Sequence, residues 1–148
     1  MSADRRIGTL VLLLAVLGGC GKDKAVGPKP NEITGAWRAT MVEYVSKAAP
    51  GTRVDLIAAG DTLTLTINSD GSIIQVLTPS GGGPDTTTGA WELSTDIFKV
   101  FPTGMSFYWA WDISLSGNTL TLTGADMEYD FNDDNVPEQA DQNMVLIR

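Results

Sequence analysis

The chain has no histidine and one cysteine among 148 residues. Without histidine it lacks the side chain whose ordinary pKa suits proton transfer near neutrality, and the commonest nitrogen ligand for a metal. One cysteine allows no intrachain disulfide, so an oxidising compartment adds no covalent staple. Serines have no evident base partner. Paired carboxylates are the chemistry of glycoside cleavage, but no spacing sets two of Asp112, Asp126, Glu128 and Asp130 across a cleft. The sequence reads as that of a non-enzyme. Basic charge is also scarce: 10 Lys and Arg stand against 18 Asp and Glu, a net charge of −8. Such a balance repels phosphate backbones and anionic headgroups within the screening length, so nucleic acid is disfavoured as a partner. From Phe101 onward only Arg148 opposes eight carboxylates. Helical periodicity is missing too, and Val42 to Ala49 offers at most a turn or two of helix.

The long apolar run lies at the start, where Arg5 and Arg6 precede Ile7 to Leu17. As a helix it rises about 16 Å, half of a hydrocarbon core, which is too short to span. It has the layout of a secretory signal peptide. Leu17-Gly18-Gly19-Cys20 resembles the bacterial lipobox, and the resemblance implies cleavage after residue 19, a thioether-linked diacylglycerol on Cys20 and an amide-linked acyl chain such as palmitate on the new N-terminus. Two or more chains make a stable membrane anchor. An ordinary secretory signal with an incidental cysteine and a buried structural thiol are the alternatives. Against them, no Ala-x-Ala site is present and Cys20 lies outside any strand pattern. Gly21 stands where aspartate would favour inner-membrane retention in some bacteria, so the expected address is the bacterial cell envelope, at the outer membrane facing the periplasm. Residues 20–31 end in GKDKAVGPKPN, a composition too poor in apolar surface to offset chain entropy, and read as a lipidated N-terminus with a flexible linker. Residues 32–148 suffice for one domain.

Those residues alternate apolar and polar at period two. In DTLTLTI, Leu63, Leu65 and Ile67 share one face and the threonines take the other; in SFYWAWDI, Phe107, Trp109, Trp111 and Ile113 share a face. Expected strands run from Gly35 to Tyr44, Arg53 to Ala58, Asp61 to Asn68, Ser72 to Thr78, Thr87 to Ser94, Ile97 to Phe101, Met105 to Leu115, Thr119 to Phe131 and Asn143 to Arg148. In the eighth, Leu120 and Leu122 share parity with Asp126, Glu128 and Asp130, so either a bulge near Gly124-Ala125 shifts the alternation or the strand ends at Thr123. TGAW occurs at Thr34 and Thr88, and TLTLT at Thr62 and Thr119, which allows an internal duplication or chance.

Gly35-Ala36-Trp37 at the start of the first strand, followed by a meander of eight or nine strands, resembles the lipocalin-like domains of bacterial lipoproteins. The resemblance implies an antiparallel up-and-down β-barrel, all-β, with Gly35 and Trp37 at its base and a basic residue of the last strand, Arg148, packed over the tryptophan. A β-sandwich is the alternative. Closure itself has a physical motive, since it removes both exposed sheet edges. An eight-stranded barrel is either filled by side chains or holds one small ligand. Trp91, Phe98, Phe107, Trp109, Trp111 and Tyr129 are the candidate lining of a pocket for a small hydrophobic ligand, or its filling. In DFNDDNVPEQAD, the side chains of Asp130, Asn132 and Asp134, the carbonyl of Val136, and Glu138 or Asp141 stand near the ligand positions of a calcium loop. The alternative is a water-exposed acidic hairpin tip.

Overall fold

A computed structural model describes residues 27–148. The leader, Cys20 and residues 21–26 lie outside the described residues. A single helical turn, α1 (Pro30–Ile33), opens the described chain, with Pro30 at its first position, where the missing N–H costs nothing. Nine strands follow: β1 (Gly35–Ser46), β2 (Arg53–Asp55), β3 (Thr62–Ile67), β4 (Ser72–Thr78), β5 (Asp85–Ser94), β6 (Ile97–Pro102), β7 (Trp109–Ser116), β8 (Thr119–Tyr129) and β9 (Glu138–Ile147). All pair antiparallel in the order β2-β1-β3-β4-β5-β6-β7-β8-β9, and β1 also pairs β9 from Arg38↔Ile147 to Ser46↔Ala140. The sheet is therefore a closed barrel of eight strands, with β2 as an extra strand that shares an edge of β1 with β3. Closure rules out the sandwich. Among the described residues no helix is long and apolar enough to cross a membrane.

Period-two patterning sets which side chains face inward. Leu63, Leu65 and Ile67 are buried while Thr62 and Thr64 are exposed. In β8 the alternation shifts at Gly124, whose φ of +81° is cheap only for glycine. The register to β9 slips between Leu122 and Ala125, so Leu120, Leu122 and Ala125 all point inward. The parity conflict of the sequence is thus resolved by a bulge. Asp55 closes a second irregularity: its Oδ1 accepts the Val42 and Ile57 N–H groups at 3.1 and 3.0 Å, between the stretches of β1 paired to β2 and β3.

Several boundaries differ from expectation: β2 stops at Asp55 instead of Ala58, β5 begins at Asp85 instead of Thr87, and β8 ends at Tyr129 instead of Phe131. β1 runs on to Ser46 with Val42 and Tyr44 facing inward, so no helix forms from Val42 to Ala49. β7 starts at Trp109 instead of Met105, and β9 starts at Glu138 instead of Asn143. Within the stretch read as linker, Gly27 lies against the β5–β6 turn, where a Cβ would stand 1.8 Å from the Thr95 carbonyl oxygen, while Lys29, Pro30 and Asn31 are exposed. The repeated motifs are not equivalent either. The TLTLT of β3 pairs beside the TGAW of β1, whereas that of β8 lies three strands from the TGAW of β5.

The connectivity gives the barrel two ends. Both described termini and the β3–β4, β5–β6 and β7–β8 turns form the closed end. The longer β1–β2–β3, β4–β5, β6–β7 and β8–β9 links form the open end.

Candidate functional site

At the closed end Trp37 is 1% exposed and its Nε1 donates to the Ile33 carbonyl at 2.7 Å. The Arg148 guanidinium lies 4.5 Å over the indole and donates to the carbonyls of Thr34 and Glu32 at 3.2 and 3.0 Å. The cation on the ring contributes about 0.5–2 kcal/mol, and the two hydrogen bonds hold α1 across the base. Gly35, at φ +129°, turns the chain from α1 into β1. Above this base the interior is solid: Phe98, Trp111, Leu120, Leu122, Met144 and Leu146 are all buried. Trp91 sits half-buried beside Phe98, its Nε1 bonded to the Asn68 carbonyl at 2.9 Å. Trp91 and Trp111 therefore act as packing between strands.

The barrel wall parts on one side. β7 and β8 pair only from Asp112↔Thr123 to Ser116↔Thr119. Beyond that, Trp109, Ala110 and Trp111 pair with β6 alone, and Ala125 to Tyr129 with β9 alone. The divergence begins at the bulge, where the Gly124 N–H is taken by Asn143 Oδ1 of β9 at 3.0 Å. The strands diverge around a cleft of about 480 Å³ lined by Phe107, Tyr108 and Trp109 on one side and Asp126, Met127, Glu128 and Gln139 on the other. That volume lies in the range of small-molecule sites. Phe107 and Tyr108 are each 52% exposed, since residues 105–108 belong to the β6–β7 link and not to a strand. Phe107 lies 6.0 Å from Trp109, and Tyr108 is flanked by Phe101 and by the Lys99 ammonium, 5.2 Å from its ring. Across the cleft Lys47 pairs with Asp126 and, at 3.3 Å, with Asp141. Hydrogen bonds to Asp126 and then Asp141 raise the Lys47 pKa. Glu128 Oε1 accepts from Gln139 Nε2 at 3.1 Å.

Of the expected pocket residues, the cleft gathers Phe107 and Trp109. Tyr129 stands elsewhere, stacked on Tyr44 at 4.7 Å and met edge-on by Phe131 at 5.0 Å, where the three rings cover the open end. Tyr44 Oη accepts from Gln142 Nε2 at 2.7 Å. Burial raises the pKa of both tyrosines, and the charges of Asp133, Asp61 and Asp130 add to the rise at Tyr129. Tyr108, Met127 and Gln139 were not among the pocket residues expected from the sequence; the parity break at Gly124 marks the place but not the parting of the wall.

The acidic link folds on its own backbone. Asp130 accepts the N–H groups of Asn132, Asp134 and Asn135 at 3.3, 3.2 and 2.8 Å, and Asp134 that of Val136 at 2.8 Å. Asp133 and Asn135 take positive φ. The remaining members of the expected calcium shell lie in β9: Glu138 accepts the Phe131 N–H at 3.0 Å and Asp141 faces Lys47. Val136 is 63% exposed. Among the described residues no group of three or more Asp, Glu, Cys or His is placed to hold a metal.

A second, larger groove of about 830 Å³ lies outside the closed end, between residues 27–32 and the β7–β8 hairpin. Asn31, Glu32, Asp96, Ser114 and Arg148 give it a polar lining. No protein-family model matches the chain, and no curated protein matches it in sequence.

Proposed function

We propose that the protein is a lipid-anchored lipoprotein of the bacterial cell envelope whose lipocalin-like barrel binds a small hydrophobic ligand in the cleft between β7 and β8. The parted wall carries this reading: two strands diverge around an aromatic cleft in a barrel whose other seams are paired. An exposed aromatic pair beside a half-buried tryptophan and methionine suits an apolar molecule that enters from the side. The anchor rests on the likeness of residues 17–20 to a lipobox. Gly27, at the closed end, is seven residues from Cys20, a reach of at most about 25 Å. An anchor there holds the base toward the bilayer and leaves the open end facing away. Tryptophan fluorescence titrated with a neutral solvatochromic dye tests the binding. Saturable binding that Trp109→Ala weakens supports it, and no binding to the parent removes it. Mass spectrometry of the protein from membranes tests the anchor, with an unmodified Cys20 overturning it.

The second reading is an interaction or structural lipoprotein without a ligand. It is favoured by the solid packing above the base, where Phe98 and Trp111 fill the interior. A protein that binds no dye, yet cross-links to an envelope partner through its outer surface, would decide for it.

A further inference from the structure

The parting of β7 from β8 leaves main-chain groups without partners. In an antiparallel ladder alternate residues turn their N–H and C=O to opposite neighbours. The Lys47 N–H donates to the Gln139 carbonyl, so Gln139 and Asp141 face β1 while Ala140 and Gln142 face β8. Opposite these stand Met127 and Ala125, which bond β9, so Asp126 and Glu128 turn their N–H and C=O toward β7. On β7 the Ile113 N–H donates to the Asp96 carbonyl, and by the same alternation Ala110 faces β8. The β7–β8 ladder stops at Asp112↔Thr123, so among the described residues none of Asp126, Glu128 and Ala110 has a ladder partner on that side.

Such an edge is a template for another strand. Ala125 is buried and Met127 half-buried, whereas Asp126 and Glu128 are exposed. An added strand would therefore turn one set of side chains inward beside Met127 and Trp109, and the other outward beside the two carboxylates. The carboxylates decide the sign. A second copy of this chain would set Asp126 and Glu128 against their own kind, and like charges directly opposite are destabilising. Lys47 engages Asp126 and Asp141, whereas Glu128 has only the Gln139 amide. Lys99 lies on β6 over the Tyr108 ring, with β7 between it and the β8 edge.

We infer that the cleft receives an extended peptide of alternating apolar and basic residues, which pairs antiparallel with β8 from Ala125 to Tyr129 and sets its basic side chains against Asp126 and Glu128. Directly opposite residues share a face, so the basic residues are the ones whose N–H and C=O bond β8. Main-chain hydrogen bonds carry the recognition. This occupancy goes beyond the small-ligand reading and does not depend on it.

The test titrates the mature chain with Cys20→Ser against the acetylated, amidated peptide Val-Lys-Val-Lys-Val, read by amide NMR. The Asp126 and Glu128 amide protons, in fast exchange with water in the free protein, should become protected. N-methylation of both lysine nitrogens should weaken binding roughly tenfold or more, as the loss of two hydrogen bonds predicts. N-methylation of the valines should leave it unchanged. Glu128→Pro removes an N–H that faces the cleft and spares the β8–β9 ladder, a change an edge strand tolerates; it should weaken binding more than Glu128→Gln, which keeps that N–H. Whatever the fate of the proline variant, the methylated peptides test the parent protein. No binding of the unmethylated peptide, equal binding of the two methylated forms, equal binding of Val-Glu-Val-Glu-Val, or amides that stay in fast exchange would overturn the inference. Saturable dye binding in the same sample would then leave the small-ligand reading standing, and its absence would remove both.

Discussion

The two ends of the barrel solve the same problem differently. At the closed end one tryptophan, one arginine and one helical turn bring a hydrophobic plug, a cation and backbone carbonyls onto a single axis, and every polar group involved finds a partner. At the open end the work is divided among a stacked tyrosine pair, a glutamine, a self-bonded acidic link and an ion pair, while β7 and β8 stay apart. Redundancy at one end and dispersal at the other imply that stability is concentrated in the base and adaptability in the parted wall.

Removing the plug should produce the largest effect. Trp37→Ala is expected to cost about 3–5 kcal/mol in urea unfolding, the usual cost of deleting a buried aromatic side chain. If the loss were under about 1 kcal/mol, the base would not be the anchor of the fold. Next comes Asp130→Ala, which strands three backbone N–H groups in an exposed link; water recovers part of the loss, so about 1–2 kcal/mol is expected. A parent-like unfolding midpoint would show that the link holds its shape without the carboxylate.

A milder probe is pH. Burial raises the Tyr44 pKa above its ordinary value of 10.0, so the folded state holds this proton more tightly than the unfolded chain. The resulting stability is complete below the unfolded pKa and is lost as pH rises through the folded one. Urea midpoints should therefore fall above pH 10, and by less in Tyr44→Phe; an equal fall in both would assign the alkaline loss to other groups. The smallest change in stability belongs to Phe107→Ala, within about 0.5 kcal/mol because the ring is half exposed. Dye binding should nonetheless weaken several-fold in the same variant. Unchanged dye affinity would separate the cleft from the binding activity.

Legibility in the sequence followed the same divide. Strands whose inward positions are greasy, such as Leu63, Leu65 and Ile67, declare themselves by alternation. The bulge in β8 is visible because leucines and carboxylates cannot share a face. The first half of β9 is hidden: its inward positions are Ala140 and Gln142, one small and one polar, the glutamine lying opposite Tyr44 and bonded to its hydroxyl. SFYWAWDI misleads in the opposite sense, for its alternation continues through Phe107 although residues before Trp109 have no strand to pair with. A cleft made by two strands failing to meet is a relation between distant segments, and local patterning carries no trace of it.

The seam between β1 and β9 joins the earliest strand to the one made last. During synthesis the first strand must wait, its β9-facing edge unsatisfied, until more than ninety further residues have emerged. Such distant pairing is slow, and the interval leaves β1 open to mispairing or to a chaperone's grip.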